Sequence, residues 1–287
     1  MTIVVTGASG HLGRLVVENL LDRGVPAAQI VAAVRTPEKA AGLAARGVQV
    51  READYERPET LASAFAGATQ LLLVSGTEIG RRVPQHQAVV DAAKAAGAVH
   101  IAYTSILYAD SSPLGLAPEH KATEELIRAS GLPFTFLRNG WYAENYDAAI
   151  AQAAAGGTLI GSAGDGRVSA ASRADYAAAA AAVLTGQGHQ GKVYELGGDP
   201  AWTYTDLAAE ISKATGTPVV YQQLTADQHT QALADSGLPQ FYAELLADSD
   251  QGIAAGHLEE HSGDLKRLIG RPTTTLAAAV AAALKNA

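Results

Sequence analysis

The chain has 287 residues, which is enough for two domains or for one large α/β unit with a smaller appendage. Its formal net charge of −8 disfavours binding to nucleic acid or to an anionic membrane surface, and the absence of cysteine excludes disulfides, thiolate nucleophiles and cysteine metal sites. No apolar run approaches the roughly 20 residues of a membrane span, and no basic stretch precedes the first apolar segment, so we expect a cytoplasmic protein that acts on small molecules.

Strand-like and helical segments alternate through the first half of the chain. Strands are predicted at residues 3–5, 30–34, 48–50, 71–74, 101–103 and 134–137, and helices at 13–23, 37–46, 58–66, 84–96 and 118–130. Prolines stand at the starts of four of these helices, at Pro37, Pro58, Pro84 and Pro118. The alternation predicts an α/β fold with a Rossmann-type doubly wound parallel sheet.

The pattern changes after Asn139. Glycines mark turns between residues 156 and 166, a strand is predicted at 193–196, and helices at about 173–186, 203–215, 225–235, 239–255 and 274–286. We therefore predict a cofactor-binding domain at residues 1–140 and a smaller, largely helical substrate lobe at 141–287. Segments around 168–200 are expected to return to the first domain, and the oligomeric state is left open.

The first predicted strand runs directly into a G-x-x-G-x-x-G turn and then into an amphipathic helix. Glycine suits a tight turn at Gly7, close approach of backbone to a pyrophosphate at Gly10, and helix–strand packing at Gly13. The phosphates would lie at the helix N-terminus, where unpaired N–H groups favour anions. We predict a dinucleotide site formed by Gly7, Ala8, Ser9, Gly10, His11, Leu12 and Gly13.

The residue after the second predicted strand is Arg35. An acidic residue at this point typically binds the ribose 2′-hydroxyl of NAD, whereas an arginine can bind the 2′-phosphate of NADP. Arg35 therefore favours NADP(H), although a solvated surface arginine is the alternative. Further cofactor contacts are expected at the carboxyl ends of the later strands, where turn-forming roles are equally open: Asp54, Ser75, Tyr103 and Asn139.

The sequence lacks the proton relay that reduction of an ordinary ketone needs. A tyrosine followed four residues later by lysine would supply a hydroxyl with a lowered pKa, but none of the ten tyrosines has lysine at that position. The chain therefore either reduces an easier electrophile or catalyses nothing.

Two side chains could deliver a proton in the segment after the fifth strand. They are Tyr108 and His120, and the alternative for His120 is a hydrogen-bonded or solvated surface group. The other histidines show no metal-ligand spacing, so no metal site is predicted. Beyond the sixth strand, Trp141, Tyr142 and Tyr146 could stack on a flat substrate beside the nicotinamide, seal the junction between the lobes, or do both.

Several motifs resemble those of the NmrA-like atypical short-chain dehydrogenases, and most of all the bacterial NAD(P)H:quinone oxidoreductases of type 2. The resemblance rests on residues 6–13, 30–35, 54–55, 100–105, 119–120 and, most specifically, the Arg-Asn-Gly-Trp-Tyr run at 138–142. It continues through 164–166, 172–176, 192–196 and 268–273 and so covers nearly the whole chain.

This resemblance implies an NADPH-binding domain, a small substrate domain and a quinone as hydride acceptor. It also implies that the cofactor cleft is lined by Asn139, Gly140, Trp141, Tyr142, Ser172 and Arg173. Relatives that reduce lignan or isoflavone precursors carry a lysine where this chain has His120. That departure suits a quinone, whose reduced monoanion has a phenol-like pKa of about 10 and needs little acid catalysis.

Two rival functions remain open at the level of sequence. NmrA-like proteins include sensors that bind NADP(H) and regulate a partner without turnover, and the missing tyrosine–lysine pair fits such a sensor equally well. A close cousin family reduces triphenylmethane dyes, so a reductase of dyes or enones is the third possibility.

Overall fold

The computed structural model describes residues 1–286. The strands are β1 (Ile3–Thr6), β2 (Ile30–Val34), β3 (Gln49–Glu52), β4 (Gln70–Leu73), β5 (His100–Ile106), β6 (Phe134–Asn139), β7 (Thr158–Gly161), β8 (Lys192–Leu196) and β9 (Val220–Gln223). The helices are α1 (His11–Asp22), α2 (Ala41–Ala44), α3 (Pro58–Ala64), α4 (Arg82–Ala95), α5 (Ala117–Ser130), α6 (Asp147–Gly156), α7 (Arg173–Thr185), α8 (Tyr204–Thr215), α9 (Ala226–Asp235), α10 (Gln240–Ala254), α11 (Asp264–Ile269) and α12 (Leu276–Asn286).

Seven parallel strands form the central sheet, in the order β3-β2-β1-β4-β5-β6-β8. The order reverses between β1 and β4, which opens a crevice at the carboxyl ends of these strands. Every residue of β1, β2 and β5 is buried, as expected for a parallel sheet with helices on both faces. The predicted Rossmann-type doubly wound sheet is confirmed.

Alternate residues of each strand pack into opposite layers. Val5 belongs to a core formed with α1 and α7, whereas Val4 packs into the layer that contains Val89 of α4 and Ile127 of α5. Prolines occupy the first turn of α3 and α5, as the sequence predicts, but α4 begins at Arg82, two residues before Pro84. Gly131 ends α5 at φ +77°, a left-handed conformation that glycine adopts without strain.

The second lobe has a core of its own around a two-stranded parallel sheet of β7 and β9. Large side chains of this core include Tyr146, Trp202, Tyr204 and Ile253. β7 lies among the short strand candidates that the glycines at 156–166 separate, whereas β9, α6 and the six-residue α11 were not predicted from the sequence.

Three later elements pack on the sheet domain. β8 pairs with the edge strand β6, α7 packs against α1, and α11 lies against α7 and β8. The sheet domain is thus built from two separate stretches of the chain. Across residues 1–286, none of the helices is both long enough and apolar enough to span a bilayer.

Candidate cofactor cleft and active site

The glycine turn after β1 has the geometry that anion binding requires. Gly7 adopts φ +58°, and the Gly10 N–H donates to the Gly7 carbonyl at 2.9 Å. A Cβ on Gly13 would lie 2.4 Å from the Gly7 carbonyl oxygen, so this glycine lets α1 pack directly on the turn. The first turn of α1 has no acidic residue and its N-cap, Gly10, offers no capping side chain. Its N–H groups are therefore open to a phosphate.

The other residues of the turn divide into backbone and side-chain contributors. The side chains of Ala8 and Leu12 are buried in the core, so only their backbone can contact a ligand. Ser9 is half-buried and His11 is exposed, so neither side chain is enclosed in the core.

Arg35 follows β2 directly, and its side chain is 71% exposed. Its Nη1 lies 3.1 Å from Oε1 of Glu78, a residue of the loop after β4. Asp54, after β3, accepts the Glu56 N–H through Oδ1 and pairs with Arg57 at 3.5 Å, so it forms a local turn. The Ser75 N–H, after β4, donates to Thr104 Oγ1 at 2.9 Å and leaves its own hydroxyl half-buried at the crevice.

The side chain of Tyr103 is buried in the core and does not face the crevice, so a cofactor contact at this residue would have to come from its backbone and stays a prediction. Tyr103 lies on the face of β5 that packs into the core with Phe136, and it is fully buried. Its hydroxyl is 2.7 Å from Nδ1 of His120. Since residues alternate along a strand, the neighbouring Thr104 points to the opposite face.

His120 lies at the start of α5 but is only 6% exposed. Burial, together with the nearby Arg82 guanidinium, holds the pKa of His120 well below its usual value. The imidazole is therefore neutral at neutral pH and would act on a substrate only as a neutral hydrogen-bonding group. Its role as a proton donor or orienting group stays a prediction.

Tyr108 lies in the turn after β5 with φ 53°, an unusual conformation for a residue other than glycine. The Glu195 carboxylate accepts its N–H at 2.9 Å, and its hydroxyl donates to the Glu259 carbonyl at 3.2 Å. Burial raises the pKa of the Tyr108 hydroxyl. Tyr108 thus connects the sheet to the second lobe, and a catalytic role for it also stays a prediction.

Asn139 ends β6 and is 4% exposed. Its Nδ2 donates to the Tyr142 hydroxyl at 3.4 Å, but among residues 1–286 no group bonds its Oδ1. An unpartnered buried oxygen costs about 1–3 kcal/mol, which a ligand N–H at this position would recover. The carboxamide of a nicotinamide has such an N–H, so the residues at this end of the crevice fit the cofactor.

Gly140 and Trp141 carry the chain from the sheet into the second lobe. A Cβ on Gly140 would lie 3.0 Å from the Leu196 carbonyl oxygen and 3.2 Å from the Tyr176 hydroxyl, so glycine is required by packing. Trp141 is half-buried, and its carbonyl accepts the Ala171 N–H at 3.0 Å. The junction between the lobes is therefore tightly bonded at this point.

Tyr142 is half-buried between two side chains. The ring of Tyr176 meets it edge-on at 5.3 Å, and the guanidinium of Arg173 lies 4.7 Å from its centroid. Arg173 is in turn held by Glu144, which accepts its backbone N–H at 2.9 Å. Ser172 caps α7 by accepting the Asp175 N–H, so its hydroxyl serves the helix.

Tyr146 is almost fully buried, and its predicted stacking on a substrate stays a prediction. It is 5% exposed and packs edge-on against Trp202 at 5.0 Å and Tyr204 at 5.7 Å. These contacts place the ring in the core of the second lobe.

Arg138, for which the sequence predicts no role, precedes the cleft residue Asn139 in β6. Its Nε and Nη2 donate to the two carboxylate oxygens of Glu124 at 2.8 and 2.6 Å, Nη1 donates to Glu195 at 2.9 Å, and Nη2 donates to Asp110 at 2.6 Å. Glu195 also holds Tyr108, so this cluster fixes the turn after β5. The sequence does contain a signal for this cluster. Arg138 falls within the apolar strand 134–139, and a buried charge of this kind requires partners of opposite charge.

Among residues 1–286 no cluster of three or more histidine, aspartate or glutamate side chains could hold a metal ion.

A family model described as NAD(P)H-binding matches residues 7–187, from the glycine turn to the end of α7. Quinone oxidoreductase 2 of Escherichia coli K12 is 55% identical over 278 residues, which covers 97% of each chain. The chain belongs to the NmrA-like NAD(P)H-binding family, in its quinone oxidoreductase type 2 group.

Solved structures agree with this membership of the type 2 group. The E. coli NADPH-dependent quinone oxidoreductase in complex with NADPH has 54% identity and a TM-score of 0.96, covering 99% of this chain and all of that one. The triphenylmethane reductase of Citrobacter sp. has 41% identity and a TM-score of 0.95 over 99% of this chain and all of that one. The resemblance predicted from the motifs is confirmed.

Proposed function

We propose that this protein is an NADPH-dependent oxidoreductase that transfers hydride to a quinone. The observation that carries the proposal is the near-full-length match to quinone oxidoreductase 2, in a chain whose glycine turn is intact. A cytoplasmic location is part of the proposal. When bound, NADPH supplies the hydride; the residues of this chain bind and orient the reactants.

Each end of the crevice has a separate task in this proposal. The turn at residues 7–13 and the N-terminus of α1 bind the pyrophosphate, and Asn139 Oδ1 accepts a hydrogen bond from the carboxamide. Trp141 and Tyr142 give the acceptor an aromatic surface. Since His120 is buried and neutral, no charged acid stands ready, and the phenolate-like product takes its proton from water or from one neutral donor.

The choice of acceptor tests the proposal. With NADPH, benzoquinone and naphthoquinone are expected to turn over at least about a hundredfold faster than aliphatic ketones, because general acid catalysis of that size is missing. The measurement is loss of NADPH absorbance across both substrate classes. Comparable rates for ketones would contradict the proposed chemistry, and tight NADPH binding without any turnover would favour the sensor.

A dye reductase is the second candidate, because the triphenylmethane reductase shares 41% identity with this chain. Triphenylmethane dyes belong in the same assay. A specificity constant for dyes above that for quinones would move the assignment to this candidate.

Arg35→Ala tests the predicted contact with the 2′-phosphate. Loss of a charge-assisted hydrogen bond to the exposed guanidinium should raise the Kd of NADPH about tenfold, while the Kd of NADH should change little. Fluorescence titration with both cofactors measures this. Lys39→Ala, which removes a neighbouring exposed cation, is the matched control; equal losses for both cofactors in Arg35→Ala would remove the phosphate from the interpretation.

A further inference from the structure

The ion pair between Arg35 and Glu78 connects the two sides of the cofactor crevice. β2, which leads to Arg35, and β4, which leads to the loop of Glu78, lie on opposite sides of β1 in the sheet. The glycine turn at residues 7–13 follows β1 and therefore lies between them. A carboxylate thus occupies the guanidinium to which we assign the 2′-phosphate, 3.1 Å from its Nη1.

Glu78 is held in place by its own loop, which is anchored on both sides. Upstream, the Gly76 N–H donates to His86 Nε2 at 3.0 Å, and its carbonyl accepts from Arg82 Nε at 2.9 Å. Downstream, the Gly80 N–H donates to Glu119 Oε1 at 2.9 Å. Burial lowers the pKa of His86 to about 3, so its Nε2 remains an acceptor at neutral pH.

The second oxygen of the Glu78 carboxylate is also bonded. Gln85 Nε2 donates to Oε2 at 3.0 Å. Two other carboxylates near this loop pair with other arginines: Glu56 with Arg81 at 2.8 Å and Glu119 with Arg82 at 3.0 Å. Glu78 is therefore the acidic group that the fold directs at Arg35.

We propose that Glu78 is a specificity-determining residue that competes with the cofactor 2′-phosphate for Arg35. The inference rests on the proposed role of Arg35. A phosphate that approaches Arg35 must displace or share the guanidinium with an anchored carboxylate, which also repels it. NADH brings no such charge, and a carboxylate can accept a hydrogen bond from its ribose hydroxyl. Glu78 therefore reduces the factor by which the protein binds NADPH more tightly than NADH.

Glu78→Gln tests the competition, because it removes the charge and keeps the shape. We expect the Kd of NADPH to fall about two- to fivefold, the range of an exposed ion pair, and the Kd of NADH to stay the same or rise. Fluorescence titration of both cofactors at low and high ionic strength is the measurement, and the gain for NADPH should shrink as salt screens the charges.

Glu38→Gln is the matched control. Glu38 carries the same charge three residues after Arg35, but among residues 1–286 the two form no ion pair. It should leave the ratio of the two Kd values nearly unchanged. Three results for Glu78→Gln would overturn the inference. The ratio of the two Kd values could stay unchanged, it could shift in favour of NADH, or it could change no more than in Glu38→Gln.

The Arg35→Ala background separates the two possible failures. If Arg35 is the shared partner, Glu78→Gln should alter the ratio of the two Kd values less in this background than in the wild type, because the competition for the guanidinium is gone. If Arg35→Ala itself affects both cofactors equally, the phosphate contact fails and the inference fails with it. If Arg35→Ala lowers the NADPH preference but Glu78→Gln does not raise it, the phosphate contact stands and the role of Glu78 alone is overturned.

Discussion

Arg138→Met is expected to lower the free energy of unfolding by about 3–5 kcal/mol at neutral pH, the loss typical of breaking a buried ion pair on one side. The guanidinium satisfies both oxygens of Glu124, whose side chain is fully buried, and one oxygen of Glu195. Methionine fills a similar volume but donates nothing, so Glu195 would lose its charged partner and Glu124 would keep only Arg128, at 3.4 Å. Asp110 is mostly exposed and adds little to the loss.

The pH dependence of this loss follows from the carboxylates. The hydrogen bond from Arg138 holds the pKa of Asp110 below its usual value. This pair therefore stabilises the fold at pH values above the pKa of Asp110 in the unfolded chain. The stabilisation is lost as the pH falls through the lower pKa of Asp110 in the folded protein. Burial raises the pKa of Glu195, so folding favours its protonated form as the pH falls. In Arg138→Met, protonation of the buried carboxylates removes their unpaired charge. The difference in free energy of unfolding between the variant and the wild type should therefore shrink as the pH falls toward about 4.

Urea unfolding at neutral and acidic pH measures both effects. Arg46→Met is the control, because it removes an exposed ion pair with Asp22 and should cost less than about 1 kcal/mol. An Arg138→Met protein as stable as this control would contradict the importance of the cluster.

Gly13→Ala is expected to lower stability by about 1–3 kcal/mol and to weaken NADPH binding strongly. The new Cβ would lie 2.4 Å from the Gly7 carbonyl oxygen and 2.8 Å from its carbon, which are backbone atoms that cannot rotate away. α1 must therefore move off the turn, and the N–H groups that face the phosphates move with it.

Thermal unfolding and NADPH titration check this pair of effects. Gly42→Ala is the matched control, since Gly42 is an exposed residue of α2 and a Cβ there would meet nothing within 4 Å. That variant should be as stable as the wild type or slightly more stable. Normal NADPH affinity in Gly13→Ala would show that the turn tolerates the displacement and would refute the role given to this glycine.

The sheet could be predicted from the sequence because its signals are local. Ile30–Val34 is a short apolar run that ends at Arg35, and the spacing of Gly7, Gly10 and Gly13 states the turn directly. By contrast, α6 and β7 are short segments of the second lobe whose place is set by packing with α8, α12 and β9. Local patterns do not carry that information.

The burial of two predicted site residues could not be read from the sequence, for a related reason. Alternation along β5 fixes that Tyr103 and Thr104 face opposite layers, but it does not say which layer meets the ligand. Tyr146 lies close in sequence to the cleft residue Tyr142, yet its ring packs on Trp202 and Tyr204, which are remote in the chain. The partners of Arg138 and Arg35 likewise come from other elements, so their contacts became visible with the fold.

The division of the sheet domain between two stretches of chain limits how this protein can be recombined. A cassette that ends at residue 140 would leave β6 as an open edge and uncover the face of α1 that packs on α7. Exchange of the whole sheet domain with that of a relative therefore requires a graft of residues 1–140 together with the stretch that spans α7 and β8. Insertions are best placed in the exposed loops between the helices of the second lobe, where neither core is interrupted.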